Sequence, residues 1–170
     1  MLADVRFRVP LVLLLALVVH TTVFPSLRIA GVMPDLMLLV AIAAGLTAGP
    51  GLGAAVGFAS GVLADLVLPT PLGLSALVFT LTGYAVGIAK GGLLLSAWWF
   101  PGVVAFVASS LGVAAYALIG SMIGERGLLT GRLPTIMLVV AVLNALLAAP
   151  VVRLVRWAAA GLSPGRAYVE

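Results

Sequence analysis

The sequence has no cysteine and few charged residues. Only 8% of its 170 residues are charged, and it has a single histidine. Without cysteine the chain can form no disulfide and offers no thiolate for catalysis. The formal net charge of +4 does not indicate nucleic-acid binding, because the charges lie in narrow clusters between long apolar runs and no polar surface displays a basic stripe. The composition therefore excludes disulfide-rich, thiol-dependent and nucleic-acid-binding proteins.

The motifs of the common enzyme classes are also missing. The chain has no Ser/His/Asp set with a nucleophile elbow, no phosphate-binding loop and no paired acids flanking a polar cleft. The glycines at 49–53 follow no strand, so they do not predict a dinucleotide site. His20 has no second ligand of comparable softness and favours a hydrogen bond over a metal, and Asn144 favours an interhelical hydrogen bond. We therefore expect no enzyme activity, no metal and no cofactor.

Long apolar segments make up most of the chain. Hydrophobic residues account for 64% of it, which is typical of a polytopic membrane protein. The second segment is about 22 Å long at 1.5 Å per residue, so it is either a thinned span or half of a re-entrant hairpin. The expected fold is a single all-α membrane domain, a bundle of six helices. The expected spans are 9–26, 34–48, 51–68, 72–89, 98–123 and 134–152.

The basic residues predict the orientation of these spans. A cytoplasmic N-terminus places more Lys and Arg inside than outside, which favours cytoplasmic N- and C-termini. The N-terminal run imitates a signal peptide but lacks a small-residue cleavage pattern, so we interpret it as the first span. Trp98, Trp99 and Trp157 would then form a belt at the inner interface. The inner set is Arg6, Arg8, Lys90, Arg153, Arg156 and Arg166, and the outer set is Arg28, Arg126 and Arg132.

Glycine recurs every four residues in the stretch "GPGLGAAVGFASGVLAD" at 49–65. In lipid, small residues at this spacing let two helix backbones approach closely. We interpret the series as a groove that packs the protein against itself, the alternative being a groove for a partner's helix. The groove residues are Gly49, Gly53, Gly57 and Gly61, with Gly83 and Gly87 repeating the device in the fourth span.

Two aspartates lie at equal separations from a turn expected at Pro50. Antiparallel packing would bring Asp35 and Asp65 to the same outer depth, close to Arg28. We predict that these three residues form an outer polar cluster, in which the cation relieves the repulsion between the two acids. Asp35 follows Pro34 and also suits the start of a helix. For Asp65 we favour such structural pairing over proton or ion transport.

Several short motifs occur in the order and spacing of one bacterial family. They are a Val-Phe-Pro turn, a Pro-Asp-Leu that opens the second span, spaced glycines leading to a Leu-x-Asp, and a Leu-Gly-Leu before the fourth span. Over about half of its length the chain resembles the rod shape-determining protein MreD family. The motif residues are Pro25, Pro34, Asp35, Gly57, Gly61, Asp65 and Gly73.

The resemblance implies a fold similar to the substrate-binding subunits of energy-coupling-factor transporters. It also implies a non-enzymatic scaffold in the bacterial plasma membrane that helps to regulate cell shape and peptidoglycan synthesis. The implied partner is single-pass MreC, and through it a penicillin-binding transpeptidase, a RodA-type glycosyltransferase and MreB; membrane lipid and a homodimer are further expectations. The alternative is a vitamin-transporter subunit or another small-molecule permease. Ala16 alone stands where such subunits carry an Ala-x-x-x-Ala docking surface, which counts against that alternative.

Overall fold

The computed structural model describes residues 2–24, 31–67, 71–90, 99–125 and 127–160, with the side chains of 2–6 left out. In this part of the chain the fold is all-α, as the sequence predicts. The six helices are α1 (Leu2–Thr22), α2 (Leu36–Ala48), α3 (Pro50–Val67), α4 (Leu74–Ala89), α5 (Phe100–Met122) and α6 (Leu133–Ala159).

Helix α2 lies at the centre of the bundle. It has 13 residues, and every residue from Leu36 to Leu46 is buried. Helices α3, α4, α5 and α6 pack around it, and α1 lies against both α2 and α6. Because other helices rather than lipid surround α2, its length need not match the bilayer thickness. Its short apolar run is therefore explained by its position.

Three of the helices, α3, α5 and α6, are long and apolar enough to cross a membrane. The apolar parts of α1, α2 and α4 are shorter and cover Phe7–Thr22, Leu36–Ala48 and Leu74–Ala89. Helix α6 extends seven residues beyond the predicted end of its span at 152, because backbone hydrogen bonding continues past Pro150 into a segment containing Arg153 and Arg156. A helix can continue into the polar interface where an apolar span has already ended.

Helices α1 and α6 meet at the end of the bundle that holds the chain's N-terminus. The guanidinium carbon of Arg8 lies 4.9 Å from the centroid of the Trp157 ring, which is the distance of a cation–π contact. Trp157 is half exposed. This pair places one basic residue and one of the predicted belt tryptophans at the same depth. Trp98 lies outside the described residues.

Candidate functional site

Helices α3 and α4 touch backbone to backbone along a line of glycines, which we call the glycine seam. A methyl group built on Gly53 would overlap the carbonyl oxygen of Gly83, and one on Gly57 would overlap that of Phe79. A methyl group on Gly61 would overlap the backbone of Ala76. Since only glycine leaves room for this approach, the four-residue spacing is explained by contact with α4 inside the protein.

The seam continues to the α2–α3 turn. Gly45 of α2 also lies against Gly83, and Gly87 lies against the backbone of Gly49 and Pro50. Gly49 differs from the groove position that the sequence predicted for it, because a methyl group built there would meet nothing within 4 Å. It has φ 89° and ends α2, with its N–H donating to the carbonyl oxygen of Gly45. Gly49 is therefore required by the turn's backbone conformation.

Asp65 caps the start of α4. Its carboxylate is 3% exposed and accepts hydrogen bonds from the backbone N–H groups of Gly73 at 2.8 Å, Ser75 at 3.2 Å and Ala76 at 3.3 Å. Gly73 is the N-cap residue and has no side chain to satisfy these amides, so the last turn of α3 supplies the acceptor. The carboxylate also meets the positive end of the α4 dipole. These contacts give the buried acid a structural role.

Gly73 and Asp65 are two of the motif residues on which the resemblance rests, and the fold joins them directly. Gly73 has φ 96°, a conformation that a residue with a side chain rarely adopts. Its N–H makes the shortest of the three backbone hydrogen bonds to Asp65 described above. The two motifs therefore act together as the N-terminal cap of α4.

Lys90 caps the C-terminus of α2, at the opposite end of the bundle from Asp65. It follows the last residue of α4, and its Nζ donates a hydrogen bond to the carbonyl oxygen of Thr47 in the last turn of α2. A cation at this position satisfies one unpaired carbonyl and opposes the negative end of the α2 dipole. From the sequence, Lys90 contributes only to the predicted orientation of the spans.

Asp35 and Asn144 connect α2 to α6. The Asp35 side chain accepts a hydrogen bond from the N–H of Leu38 at 3.0 Å and so caps α2. Asn144 is fully buried and bonds both backbone groups of Asp35, accepting from its N–H at 3.2 Å and donating to its carbonyl at 3.1 Å. Asn144 also donates to the hydroxyl of Ser109 in α5 at 2.9 Å. The predicted interhelical bond of Asn144 is confirmed.

The predicted outer cluster of Arg28, Asp35 and Asp65 stays a prediction, because Arg28 lies outside the described residues, as does Pro25. Both acids lie at the end of the bundle where α2 and α4 begin. The two carboxylates accept hydrogen bonds from different helix N-termini. The described contacts thus give each carboxylate its own backbone partners.

A cavity of about 320 Å³ opens at this end of the bundle, and residues from all six helices line it. Its walls are mainly apolar and include Phe79 and Val140. The sequence did not predict this cavity. No spacing in the sequence indicates that these helix ends converge. Its polar lining residues are His20, Asp35, Ser75 and Tyr116.

The hydrogen bond that the sequence favours for His20 does not involve its Nδ1 atom. That atom is buried and has no hydrogen-bond partner. The ring stands edge-on to Phe24 at a centroid distance of 6.0 Å. His20 and Asp35 both line the cavity. Among the described residues, no group of three or more His, Asp and Glu side chains could hold a metal ion.

A second concavity lies between α4 and α5 and has a volume of about 500 Å³. We call it the α4–α5 groove. Its lining is apolar apart from Thr82, and α5 contributes residues from Phe100 to Ala115. Several of the lining side chains are strongly exposed, among them Leu111 at 64%. Hydropathy predicts such faces to meet lipid, but which helices form a groove depends on tertiary packing.

A comparison with protein-family models gives a match over most of the chain. The model of the rod shape-determining protein MreD family matches residues 3–158 of the 170-residue chain. No curated protein and no solved structure matches the chain. The match includes all six helices except the last residue of α6 and the first of α1. By this coverage, the chain belongs to the MreD family of rod shape-determining proteins.

Proposed function

We propose that this protein is a non-enzymatic, multi-pass scaffold of the bacterial plasma membrane that binds MreC. Family membership supports the role in rod shape determination. The observation that carries the partner proposal is the α4–α5 groove, an apolar concavity on the outside of the bundle. Through MreC, the scaffold would join a penicillin-binding transpeptidase, a RodA-type glycosyltransferase and MreB.

The dimensions of the groove suit a single transmembrane helix. On α5 it extends from Phe100 to Ala115, which is about 22 Å at 1.5 Å per residue. This length covers most of a hydrocarbon core of about 30 Å. Ala85, Ala108 and Ala115 are small lining residues, which favour a close approach by a partner's backbone.

The glycine seam is a poorer candidate for partner binding. The Cβ positions of Gly53, Gly57 and Gly61 already meet the backbone of α4. A partner helix could use this face only by displacing α4, which would expose the amides that Asp65 caps. The α4–α5 groove requires no such displacement.

The orientation proposed with this function is cytoplasmic N- and C-termini. The contact between Arg8 and Trp157 supports it, because tryptophan marks this end of the bundle as a membrane interface and arginine is more frequent on the cytoplasmic side. Lys90 caps α2 at the end where α2 and α4 finish. Fusing a reporter that is active only outside the cytoplasm to each terminus measures this orientation. Activity of the reporter at either terminus would overturn it.

Cysteine cross-linking tests the groove directly, because the chain has no cysteine of its own. Val107→Cys places a thiol in the groove, at a lining residue of α5 that is half exposed. Leu146→Cys is the matched control on the exposed face of α6. Each variant is co-expressed with MreC variants that carry single cysteines along the transmembrane helix, and disulfides are scored after mild oxidation.

We expect Val107→Cys to cross-link with a helical periodicity along MreC, and Leu146→Cys to show only background. A bulky variant, Ala85→Phe, at an exposed lining residue of α4, should fill the groove and abolish the cross-links while the protein still accumulates in membranes. Equal cross-linking at the two positions would contradict the groove as the interface. Failure of MreC to co-purify with the wild-type protein would contradict the scaffold proposal itself.

A further inference from the structure

The cavity at the outer end of the bundle holds an acid in an unusual setting. Asp35 is half-buried on a wall that is otherwise mostly apolar. Its carboxylate accepts a hydrogen bond from the Leu38 N–H. His20, whose buried Nδ1 atom has no hydrogen-bond partner, lines the same cavity. A cation placed beside a partly buried carboxylate stabilises its charged form. The arrangement therefore favours a cationic occupant.

The structure fixes the position of this acid from outside the cavity. The amide of Asn144 holds both backbone groups of Asp35, and Asn144 is itself bonded to Ser109. A side chain held in this way loses little freedom when it binds a ligand, which is the advantage of a preorganised site. Ser109 and Asn144 do not line the cavity, so they serve to position the acid.

The remaining walls indicate the shape of the occupant. Phe79 and Tyr116 present aromatic rings, and Leu38, Val113 and Val140 supply aliphatic surface. Aromatic rings beside a carboxylate suit an ammonium group, because both attract a cation. A volume of about 320 Å³ holds a small molecule or one lipid headgroup with the start of its chain.

We propose that this cavity binds an ammonium-bearing amphiphile, with Asp35 as the counter-ion and the aromatic and aliphatic walls holding the apolar part. The ammonium donates hydrogen bonds to the carboxylate, and the apolar body displaces water from the walls. The same chemistry is offered by a free amine and by the headgroup of phosphatidylethanolamine. This proposal does not depend on MreC binding.

The first arm of the test uses phenethylamine as the probe. The full chain is reconstituted in nanodiscs of phosphatidylglycerol, which carries no ammonium, and binding is measured by equilibrium dialysis. We expect phenethylamine to bind and 2-phenylethanol, its neutral analogue, to bind about tenfold more weakly or not at all. Equal binding of the two probes would overturn the proposal, because the carboxylate would then contribute nothing.

Variants locate the probe. Asp35→Asn should weaken phenethylamine binding about tenfold or more, whereas Glu125→Gln, at an exposed acid near the same end of the bundle, should leave it unchanged. Val113→Phe should block binding by filling the cavity. Leu118→Phe, at an exposed residue of the same helix that lines neither the cavity nor the α4–α5 groove, should not. Circular dichroism verifies that each variant is folded. Unchanged binding in folded Asp35→Asn or Val113→Phe would overturn the proposal.

The second arm distinguishes the two sources of the ammonium. The protein is reconstituted in equal amounts of phosphatidylethanolamine and phosphatidylglycerol, extracted gently and examined by native mass spectrometry. Retention of phosphatidylethanolamine by the wild type but not by Asp35→Asn identifies the lipid headgroup. Phenethylamine binding without such retention identifies a free amine. If the protein neither retains phosphatidylethanolamine nor binds phenethylamine, the proposal is overturned.

Discussion

Replacing Asp65 should show that its main task is to start α4. In Asp65→Ala the N–H groups of Gly73, Ser75 and Ala76 lose their acceptor. Two of these bonds are buried, and each buried donor left unsatisfied costs about 1–3 kcal/mol. Loss of an N-cap costs about 1 kcal/mol and overlaps with this penalty. We therefore expect the free energy of unfolding to fall by about 3–4 kcal/mol.

Asp35→Ala is the matched control, because that carboxylate caps α2 through a part-buried hydrogen bond from the Leu38 N–H. Its expected cost is about 1 kcal/mol. Asp65→Asn separates hydrogen bonding from charge, since the amide keeps one acceptor oxygen. The free energy of unfolding of Asp65→Asn should therefore lie between those of the wild type and Asp65→Ala. The measurement is unfolding of the purified chain in mixed micelles with increasing dodecyl sulfate, followed by circular dichroism.

Two results would refute this reasoning. If Asp65→Ala cost no more than Asp35→Ala, the buried bonds to α4 would contribute nothing beyond an ordinary cap. If Asp65→Asn were as stable as the wild type and yet lost function, the charge would matter for activity and not for the fold. In that case proton or ion transport would replace capping as the role of Asp65.

Three further predictions use the same unfolding assay. Gly57→Ala should destabilise the protein by about 2 kcal/mol or more, because the added methyl group overlaps the Phe79 carbonyl. Gly102→Ala is the control and should be tolerated, because its methyl group would lie 3.5 Å from the carbonyl oxygen of Ala145. Asn144→Leu should cost about 1–2 kcal/mol through its lost interhelical bonds, and no change would contradict their importance. Lys90→Met should cost about 0.5–1 kcal/mol, and the loss should shrink at high salt if the cation acts on the α2 dipole.

Local sequence pattern was sufficient to predict which segments become helices. Apolar runs bounded by proline and glycine predict all six, and the helix ends differ from prediction where polar residues prolong a helix, as in α6 beyond Arg153. The four-residue glycine spacing also predicts a close helix contact, because no other residue type allows one. Which helix fills the groove is a question of tertiary packing. The spacing alone could not distinguish α4 from a partner.

The partners of the polar residues were harder to predict. Depth along the helices places Asp35 and Asp65 at one end, but it does not indicate that Asp65 accepts from amides of α4. One signal was available: Gly73 precedes α4 without a side chain that could cap it, so the acceptor had to come from elsewhere. The cavity left no such signal, because its lining comes from six separate helices.

The distribution of these features indicates which part of the bundle is fixed and which part is open to ligands. Helices α2, α3 and α4 share the glycine seam, and the capping contacts of Asp65 and Lys90 satisfy their end groups from within the same unit. Helix α5 stands outside this unit and lines both the cavity and the α4–α5 groove, with Gly112 facing one and Leu111 the other. An occupant of either site therefore contacts α5. The shortest physical path between a bound amphiphile and a bound partner helix therefore runs through the turn of α5 that contains Leu111 and Gly112.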